Sequence, residues 1–369
     1  MSRNSAPTAS EIEVSVFGRG FGESILLHIG DGRWVLIDCL RDAENNVAPY
    51  QYLKSIGAHP SEAIQLIVAT HWHDDHVQGI AEAYKTAQNA LLALPNSMER
   101  DELRALLMGP NRTSSSRFSS GVSELAKIAE IRDTENRPYF KLASANKSLL
   151  RYNQTDCSHG QPVSLEALSP ADADVHAFIV QLTEEAERPS PNRRIMPFSK
   201  NHVSVALWLS IGVHKVLLGA DLENSSNAQQ GWNAVMNSTA RNFGRAKVIK
   251  VPHHGSSNAH DQAVWDNLLE ANPVAALTTW NRGQKLPKPS DVDRICGLAE
   301  DAYITSQLGR STRRRLNQIE RSIREAEITL TAIPNTVGHI QMRLELSDNQ
   351  PTWTIELSNG AIPLSEINH

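Results

Sequence analysis

The first third of the chain contains a series of short apolar runs that predict β-strands. Residues 12–27 alternate between apolar and polar positions and are interrupted only by the glycine-rich segment 18–22. An Asp-Gly dipeptide typical of a hairpin turn follows, and the apolar run 34–37 comes next. These runs predict a β-meander whose last strand ends at Asp38.

Helical patterns follow this meander. The pattern at 49–57 predicts a short helix, and the β-branched run at 64–69 predicts a buried strand. Further candidate helices cover 80–92, 98–107 and 122–131, with a serine-rich stretch at 113–120. We therefore expect a helical insertion, or cap, at about 95–152, a common place for substrate selection.

The second half of the chain returns to strands. These are predicted at 203–209, 215–218 and 248–251. A basic helix and a β-hairpin are expected over about 310–360, with the hairpin at 338–357 closing the second sheet, and His339 within it is expected to be structural. The predicted domain limits are a disordered N-terminus at 1–11 and one domain at 12–369.

Composition narrows the class of protein. The chain is 40% hydrophobic and 21% charged, which is ordinary for a globular protein, and its net charge of −5 argues against general coating of nucleic acid but not against a local basic groove. No apolar run is long enough for a membrane span, the first ten residues lack the apolar core of a signal peptide, and the three cysteines form no Cys-x-x-Cys pair. We expect a soluble, cytoplasmic, mixed α/β protein.

The strongest chemical signal is the loop after the strand at 64–69, where three imidazoles and two carboxylates fall within six positions. His71 and His73 are two positions apart, so in an extended segment both can bind one ion. Asp75 and His76 follow after a turn and can face a second ion. Imidazole suits zinc, and carboxylate accepts zinc, manganese or magnesium. A polar loop with incidental histidines is disfavoured by the position of His-x-His-x-Asp-His directly after a strand.

Further candidate ligands stand at strand ends in the second half of the chain. Asp221 follows the strand at 215–218, and taken alone it would be a turn or helix-capping aspartate. The pair His253-His254 follows the strand at 248–251, and Asn201-His202 precedes the strand at 203–209. Because ligands collect at strand ends in α/β folds, these residues together favour one shared metal site.

The order of these motifs resembles that of the metallo-β-lactamase superfamily and, more closely, the hydrolase domain of the ComEC-type competence protein. The run 17–24 stands where that domain has Val-Gly-Gln-Gly-Asp-Ser, 201–205 stands where it has Asn-x-x-Ser, and 252–256 carries His-His-Gly-Ser. The resemblance covers about 12–80 and 200–300. It implies an αββα sandwich with the metals at one edge of two packed sheets.

The resemblance also implies roles for individual residues. The implied ligands are His71 and His73 for a first ion, Asp75, His76 and one histidine of the 253–254 pair for a second, and Asp221 as the bridge. We favour His253 as the ligand and His254 as the proton-transfer partner, although the two could be exchanged. Asp75 would orient a hydroxide that bridges two divalent ions, which would be zinc, manganese or magnesium. Asp38 would support a ligand histidine by accepting a hydrogen bond from it, rather than bind a metal ion itself.

Two positions depart from the family pattern. The region that often supplies a third histidine to the first ion offers Asn201 and His202, so either His202 is a ligand or the first site is open. A Leu-Pro dipeptide at 286–287 stands where the ComEC pattern often has His-Pro, and Lys285 or Lys288 would replace that histidine. Both departures concern the substrate and the metal occupancy rather than the fold.

The expected reaction is hydrolysis of a phosphodiester in nucleic acid or a nucleotide. The enzyme would be a stand-alone nuclease or phosphodiesterase, and it could work with a protein partner. The family link to DNA degradation and the basic residues at 193–194, 285–288 and 310–324 favour this substrate, although the last run fits a solvated amphipathic helix equally well. One alternative is a lactone, lactam or ester hydrolase of the same fold. Another is a non-catalytic module, which the cysteine-free cluster disfavours.

Overall fold

The computed structural model describes residues 5–98, 120–187, 200–238, 244–309 and 336–368. The strands are β1 (Glu11–Gly18), β2 (Glu23–Ile29), β3 (Trp34–Ile37), β4 (Ile64–Val68), β5 (Leu91–Pro95), β6 (Lys141–Ala143), β7 (Lys147–Tyr152), β8 (Val163–Ala167), β9 (Leu207–Ile211), β10 (His214–Leu218), β11 (Ala246–Lys250), β12 (Leu269–Leu277), β13 (Ala302–Ile304), β14 (Gly338–Glu345), β15 (Thr354–Ser358) and β16 (Ile362–Pro363). The α-helices are α1 (Ala48–Ser55), α2 (Pro60–Ala63), α3 (Asp74–Val77), α4 (Ile80–Thr86), α5 (Ser120–Glu135), α6 (Asp172–Glu187), α7 (Gly231–Asn237), α8 (Gln262–Leu268) and α9 (Pro289–Leu298).

These strands form two eight-stranded sheets. The first sheet has the order β15-β14-β1-β2-β3-β4-β5-β6, and the second has the order β16-β13-β12-β11-β10-β9-β8-β7. Each sheet combines an antiparallel part with a parallel part, which is β3 to β6 in the first sheet and β10 to β13 in the second. The carboxyl ends of these parallel strands are where α/β proteins collect functional side chains.

Alternation along the strands divides the apolar residues into three layers of core. On β3, Val35 and Ile37 point into the core between the two sheets, whereas Trp34 and Leu36 point to the opposite face. That outer face packs against α1, α4 and α5, and the outer face of the second sheet packs against α7, α8 and α9. The αββα sandwich is therefore confirmed.

Several limits differ from the sequence predictions. β1 begins at Glu11, within the segment 1–11 expected to be disordered, and the Ala9 carbonyl accepts a hydrogen bond from the Asp31 amide. Part of the span expected to be helical forms β6 and β7 instead, which pair with β5 and β8 and complete one edge of each sheet. α5 covers the helix predicted at 122–131.

The C-terminal hairpin joins a different sheet from the one expected. Its strand β14 pairs with β1 in the first sheet over eight residues, from Gly338 opposite Gly18 to Glu345 opposite Glu11. Side-chain periodicity gives the faces of a strand but not its partner, so the sheet was decided by the tertiary structure. His339 is buried and stacks on Phe17, as a structural residue would.

Some predicted elements lie outside the described residues. These are most of the candidate helix at 98–107, the serine-rich stretch at 113–120, the arginines at 193–194 and the basic helix at 310–324. Within the part of the chain that the structure describes, no helix is long and apolar enough to cross a membrane.

Candidate metal centre

Six candidate ligands from separate strand ends meet at one edge of the sandwich. Their donor atoms form two groups, and within each group the atoms lie within 4.8 Å of one another. The first donor group contains His71, His73 and Asp221, and the second donor group contains Asp75, His76, Asp221 and His254. Asp221 belongs to both groups, as a bridging carboxylate would. His71 and His254 are 183 positions apart in the sequence. They come together because β4, β10 and β11 end at the same edge of the sandwich.

The distances show nitrogen and oxygen atoms converging on two points. In the first group, His71 Nε2 lies 3.0 Å from His73 Nδ1 and 3.8 Å from Asp221 Oδ2. In the second group, His76 Nε2 lies 3.4 Å from both Asp75 Oδ2 and Asp221 Oδ2. His71 and His76 are fully buried, so these atoms face one another away from water.

The local backbone explains how one short loop serves both groups. His71 and His73 lie in an extended segment, and the one-turn helix α3 then places Asp75 and His76 on a different side of the loop. Gly79 follows with φ of 90°, a left-handed conformation that suits glycine, and α4 begins directly after it. The structure thus places His71 and His73 in one donor group and Asp75 and His76 in the other.

Asp38 sets the protonation of two histidines at once. Its Oδ2 atom accepts a hydrogen bond from His76 Nδ1 at 2.6 Å and another from Thr70 Oγ1 at 2.7 Å. Because the Thr70 hydroxyl donates to Asp38, it accepts from His71 Nδ1, which lies 3.0 Å away. Both imidazoles therefore donate from Nδ1 and turn Nε2 towards the centre, where a metal ion would take the place of any proton on that nitrogen.

Charge at this point favours a cation. Burial lowers the pKa of His76, but the surrounding carboxylates, Asp221, Asp75 and Asp38, outweigh burial and raise its pKa well above the usual value. Burial also lowers the pKa of His71, and there the neighbouring histidines act in the same direction. His76 Nε2 and Asp221 Oδ1 have no hydrogen-bond partner in the described residues. A divalent cation would interact favourably with buried nitrogen and oxygen atoms that have no hydrogen-bond partner. These residues therefore fit a metal site.

His253 and His254 take opposite positions from those favoured by the sequence. Both have left-handed backbones, with φ of 47° and 52°, so the two side chains leave the turn in different directions. His254 Nε2 lies 3.3 Å from Asp75 Oδ2 in the second donor group. His253 Nδ1 instead lies 3.2 Å from Glu223 Oε1, outside both groups. The order of the two histidines along the chain could not show which of them faces Asp75, because the direction of each side chain depends on the backbone conformation of the turn.

His202 is not part of either donor group. It lies in the short helical turn Lys200–Val203, and its Nδ1 atom is buried with no hydrogen-bond partner among the residues that the structure describes. Its neighbour Asn201 reaches the site instead: Asn201 Nδ2 donates to Glu223 at 2.7 Å and lies 3.4 Å from His253 Nε2. The first donor group therefore contains two histidines and Asp221.

Sequence analysis gave no role to several residues that support the ligands. They are Thr70, Glu23, Lys250 and Thr278. One signal was present in the sequence: Lys250 ends the strand Val248-Ile249-Lys250, where a charged residue in an apolar run indicates a buried partner.

An aromatic and cationic rim adjoins His254. The Trp280 ring lies 5.7 Å from the His254 ring, and the Phe21 ring lies 5.5 Å from Trp280. The Arg282 guanidinium stacks on Phe21 at 3.3 Å from the ring centroid and is exposed to solvent. Lys285 lies in the same loop as Trp280 and Arg282, and its ammonium donates to the Gly309 carbonyl. We call Trp280, Phe21 and Arg282 the aromatic rim.

The chain belongs to the metallo-β-lactamase superfamily, whose family model matches residues 17–260. Among solved structures, it is similar to the metallo-β-lactamase fold protein YhfI from Bacillus subtilis, with 13% identity, 65% of this chain and 70% of that chain covered, and a TM-score of 0.32. It is also similar to Zn²⁺-bound PqqB from Methylobacterium extorquens, with 13% identity, coverage of 62% and 56%, and a TM-score of 0.30. No curated protein sequence matches the chain.

Proposed function

We propose that this protein is a metal-dependent phosphodiesterase or nuclease that acts on nucleic acid or a nucleotide. The observation that carries the proposal is the pair of buried donor groups that share Asp221, with the aromatic rim beside them. The donor groups account for hydrolysis, and the rim accounts for the substrate class.

The residues that would hold the ions follow from the two groups. His71, His73 and Asp221 would hold the first ion, and Asp75, His76, His254 and Asp221 would hold the second. Four of these seven contacts would come from imidazoles and three from carboxylates. Such a mixed nitrogen and oxygen set suits zinc and also admits manganese. When bound, two such ions activate water near neutral pH and stabilise charge on the phosphoryl oxygens.

The chain's own residues would orient the reactants and move protons. Asp75 faces both His76 and His254 and would orient the attacking water. The proton for the leaving oxygen would come from His253 rather than His254, which is a revision of the sequence-based role. His254 is buried with contacts at both ring nitrogens, whereas the His253 side chain is 19% exposed and is held by Glu223. His253 would donate from Nε2, because its Nδ1 faces the Glu223 carboxylate at 3.2 Å.

The aromatic rim supports a substrate that carries bases and phosphates. Aromatic rings next to a cationic group bind single-stranded nucleic acid by stacking on bases while the charge binds the phosphate backbone. Arg282 is exposed beside Trp280, so both could contact one nucleotide next to the scissile phosphate. A neutral lactone or lactam would use neither the charge nor the stacking surface.

We also propose that the insertion includes a cap on this edge of the sandwich. Its helix α5 meets the metal loop directly, because the Gly121 amide donates to Asp74 Oδ1 at 2.8 Å. The Glu124 carboxylate of α5 accepts from the Ala81 amide in α4 at 3.1 Å. A shift of α5 would therefore move the loop that carries His73 and Asp75.

The test is turnover of bis-(p-nitrophenyl) phosphate and of labelled single-stranded DNA and RNA, with zinc, manganese or magnesium. We expect metal-dependent cleavage that is lost in Asp75→Ala and kept in Asp42→Ala, because the Asp42 carboxylate accepts from the Asn46 amide and belongs to neither donor group. Binding of the oligonucleotides should weaken steeply with salt, whereas hydrolysis of a neutral lactone would barely respond. Cleavage of a lactone or thioester but of no phosphodiester would overturn the proposal.

A further inference from the structure

Four buried polar side chains contact one another in a row that begins at Lys250, at the end of β11, and ends at His254. Lys250 Nζ lies 2.6 Å from Glu23 Oε2, Thr278 Oγ1 lies 2.5 Å from the same oxygen, and His254 Nδ1 lies 2.9 Å from Thr278 Oγ1. All four side chains are at most 1% exposed. Glu23 begins β2 in the first sheet, whereas the other three follow or end strands of the second sheet, so the row crosses the interface between the sheets.

The directions of the hydrogen bonds determine which nitrogen of His254 carries a proton. The carboxylate of Glu23 can only accept, so the Thr278 hydroxyl uses its single proton to donate to it. The Thr278 oxygen must then accept from His254 Nδ1–H. This leaves a lone pair on His254 Nε2, and that atom faces Asp75 Oδ2 at 3.3 Å, where two acceptors need a cation between them.

Lys250 connects this row to a second ligand. Besides pairing with Glu23, its ammonium donates to the Ala220 carbonyl at 3.2 Å, and Ala220 directly precedes Asp221. Ala220 has a φ of 45°, a strained conformation for alanine, and its carbonyl also accepts from the His253 amide. Lys250 therefore helps to hold the backbone that presents Asp221 while it neutralises the carboxylate that orients His254.

We propose that Glu23, Thr278 and Lys250 are positioning residues for the second metal ion. They hold His254 with Nε2 unprotonated and aimed at Asp75, and they do so across the sheet interface, so the second site forms only when the two sheets have packed. The row parallels the His71–Thr70–Asp38 contacts of the first group, with Thr278 in the place of Thr70 and Glu23 in the place of Asp38.

The test measures zinc affinity and stoichiometry of the full chain by competition with a chromophoric chelator. Thr278→Val keeps the shape of the side chain but removes its hydroxyl, so His254 loses its orienting partner. We expect binding of one of two ions to weaken by about 10–100-fold. Thr278→Ser should restore affinity. The matched control is Thr279→Val, because Thr279 is equally buried but its hydroxyl contacts Ser306 instead of a ligand.

Glu23→Gln separates the charge from the hydrogen bond. The glutamine oxygen can still accept from Thr278, but it cannot pair with the Lys250 ammonium, so we expect a loss of affinity smaller than that of Thr278→Val. Wild-type affinity for both ions in folded Thr278→Val would overturn the proposal, as would equal losses in Thr278→Val and Thr279→Val. Circular dichroism establishes that each variant is folded. These outcomes concern metal binding, so they stand whether or not the protein cleaves phosphodiesters.

Discussion

His76 donates its Nδ1 proton to Asp38 Oδ2 over 2.6 Å, and neither side chain is more than 2% exposed. The same oxygen accepts from Thr70, which in turn accepts from His71. One carboxylate thus orients a histidine of each donor group. Asp38 follows β3 and the histidines follow β4, and these strands are parallel neighbours, so their ends meet at one edge.

Asp38→Asn should weaken binding of both ions. Asn tolerates the left-handed backbone at this position, where φ is 55°, so the fold should be kept. In the wild type, Asp38 Oδ2 accepts from His76 and the Thr70 hydroxyl, and Oδ1 accepts from the Thr70 amide at 2.7 Å. Asparagine has one oxygen, so its NH2 group must face one of these sets of donors, and the contacts that orient the ligand histidines are disturbed. We expect affinity for zinc to fall by about 10–100-fold at each site. Isothermal titration measures both affinities.

The control for this variant is Asp42→Asn, the same substitution in the adjacent loop, where the carboxylate accepts from the Asn46 amide. It should bind zinc as the wild type does. Unchanged zinc binding in Asp38→Asn would contradict the role given to Asp38.

His254→Ala and His253→Ala should have different effects on metal content. His254 lies in a donor group and His253 does not, so His254→Ala should retain about one ion fewer per chain after dialysis, whereas His253→Ala should retain both. His253→Ala should instead lower kcat by about 10²–10⁴-fold if it donates the proton to the leaving oxygen. Elemental analysis and steady-state kinetics measure the two effects. The reverse pattern of metal loss would restore the assignment favoured by the sequence.

Trp280→Ala should reduce affinity for substrates that carry a base. Loss of one stacking surface costs about 1–3 kcal/mol per base, which is about 5–150-fold in affinity. Trp280→Phe keeps an aromatic face and should lose less. The measurement is KM for an oligonucleotide and for the same oligonucleotide with an abasic nucleotide at each position in turn. If Trp280→Ala raised KM equally for every abasic substrate and for the intact one, stacking would not be its role.

His28 should make the apoprotein less stable in mild acid. Burial lowers the pKa of His28 to about 4 and outweighs the hydrogen bond from Nδ1 to the Glu11 carbonyl, which acts in the opposite direction. Its Nε2 accepts from the Gly32 amide, a contact that a protonated Nε2 could not make. The folded state thus holds a neutral ring, and its contribution is complete above pH 6.5 and is lost as the pH falls towards 4. Between pH 7 and pH 5 this amounts to about 2 kcal/mol of unfolding free energy.

Urea denaturation at the two pH values, with chelator present to remove metal effects, measures this loss. His28→Gln can keep both hydrogen bonds without titrating, so its stability should change about 2 kcal/mol less than that of the wild type between pH 7 and pH 5. The exposed His176 provides the control, and His176→Gln should follow the wild type. An equal loss in His28→Gln and the wild type would assign the acid sensitivity to other groups.

Four of the six candidate ligands in the two donor groups could be predicted from the sequence. His71, His73, Asp75 and His76 lie within six positions after one strand, and the pattern of an extended segment followed by a turn already divides them between two sites. Local spacing sets these relations, so they need no knowledge of the rest of the fold. The αββα class was implied by the resemblance of the motifs to the metallo-β-lactamase superfamily, whereas the apolar pattern by itself predicted a mixed α/β fold.

The supporting contacts could not be predicted in this way. Thr278 and Glu23 are 255 positions apart, and their hydrogen bond depends on how the two sheets pack. The choice between His253 and His254 depends on two left-handed backbone conformations, and the sheet that receives β14 depends on which edge strand was free to pair.

By itself, the sequence determined the mixed α/β pattern of strands and helices, the residue types at the strand ends and the order of candidate ligands along the loop at 71–76, because these follow from periodicity and short spacing. The tertiary structure alone decided that Asp221 is shared by both donor groups and that His254 rather than His253 faces Asp75. It also decided that Lys250 pairs with Glu23. These relations join strand ends from two sheets, and only packing of the sheets brings such distant segments within hydrogen-bonding distance.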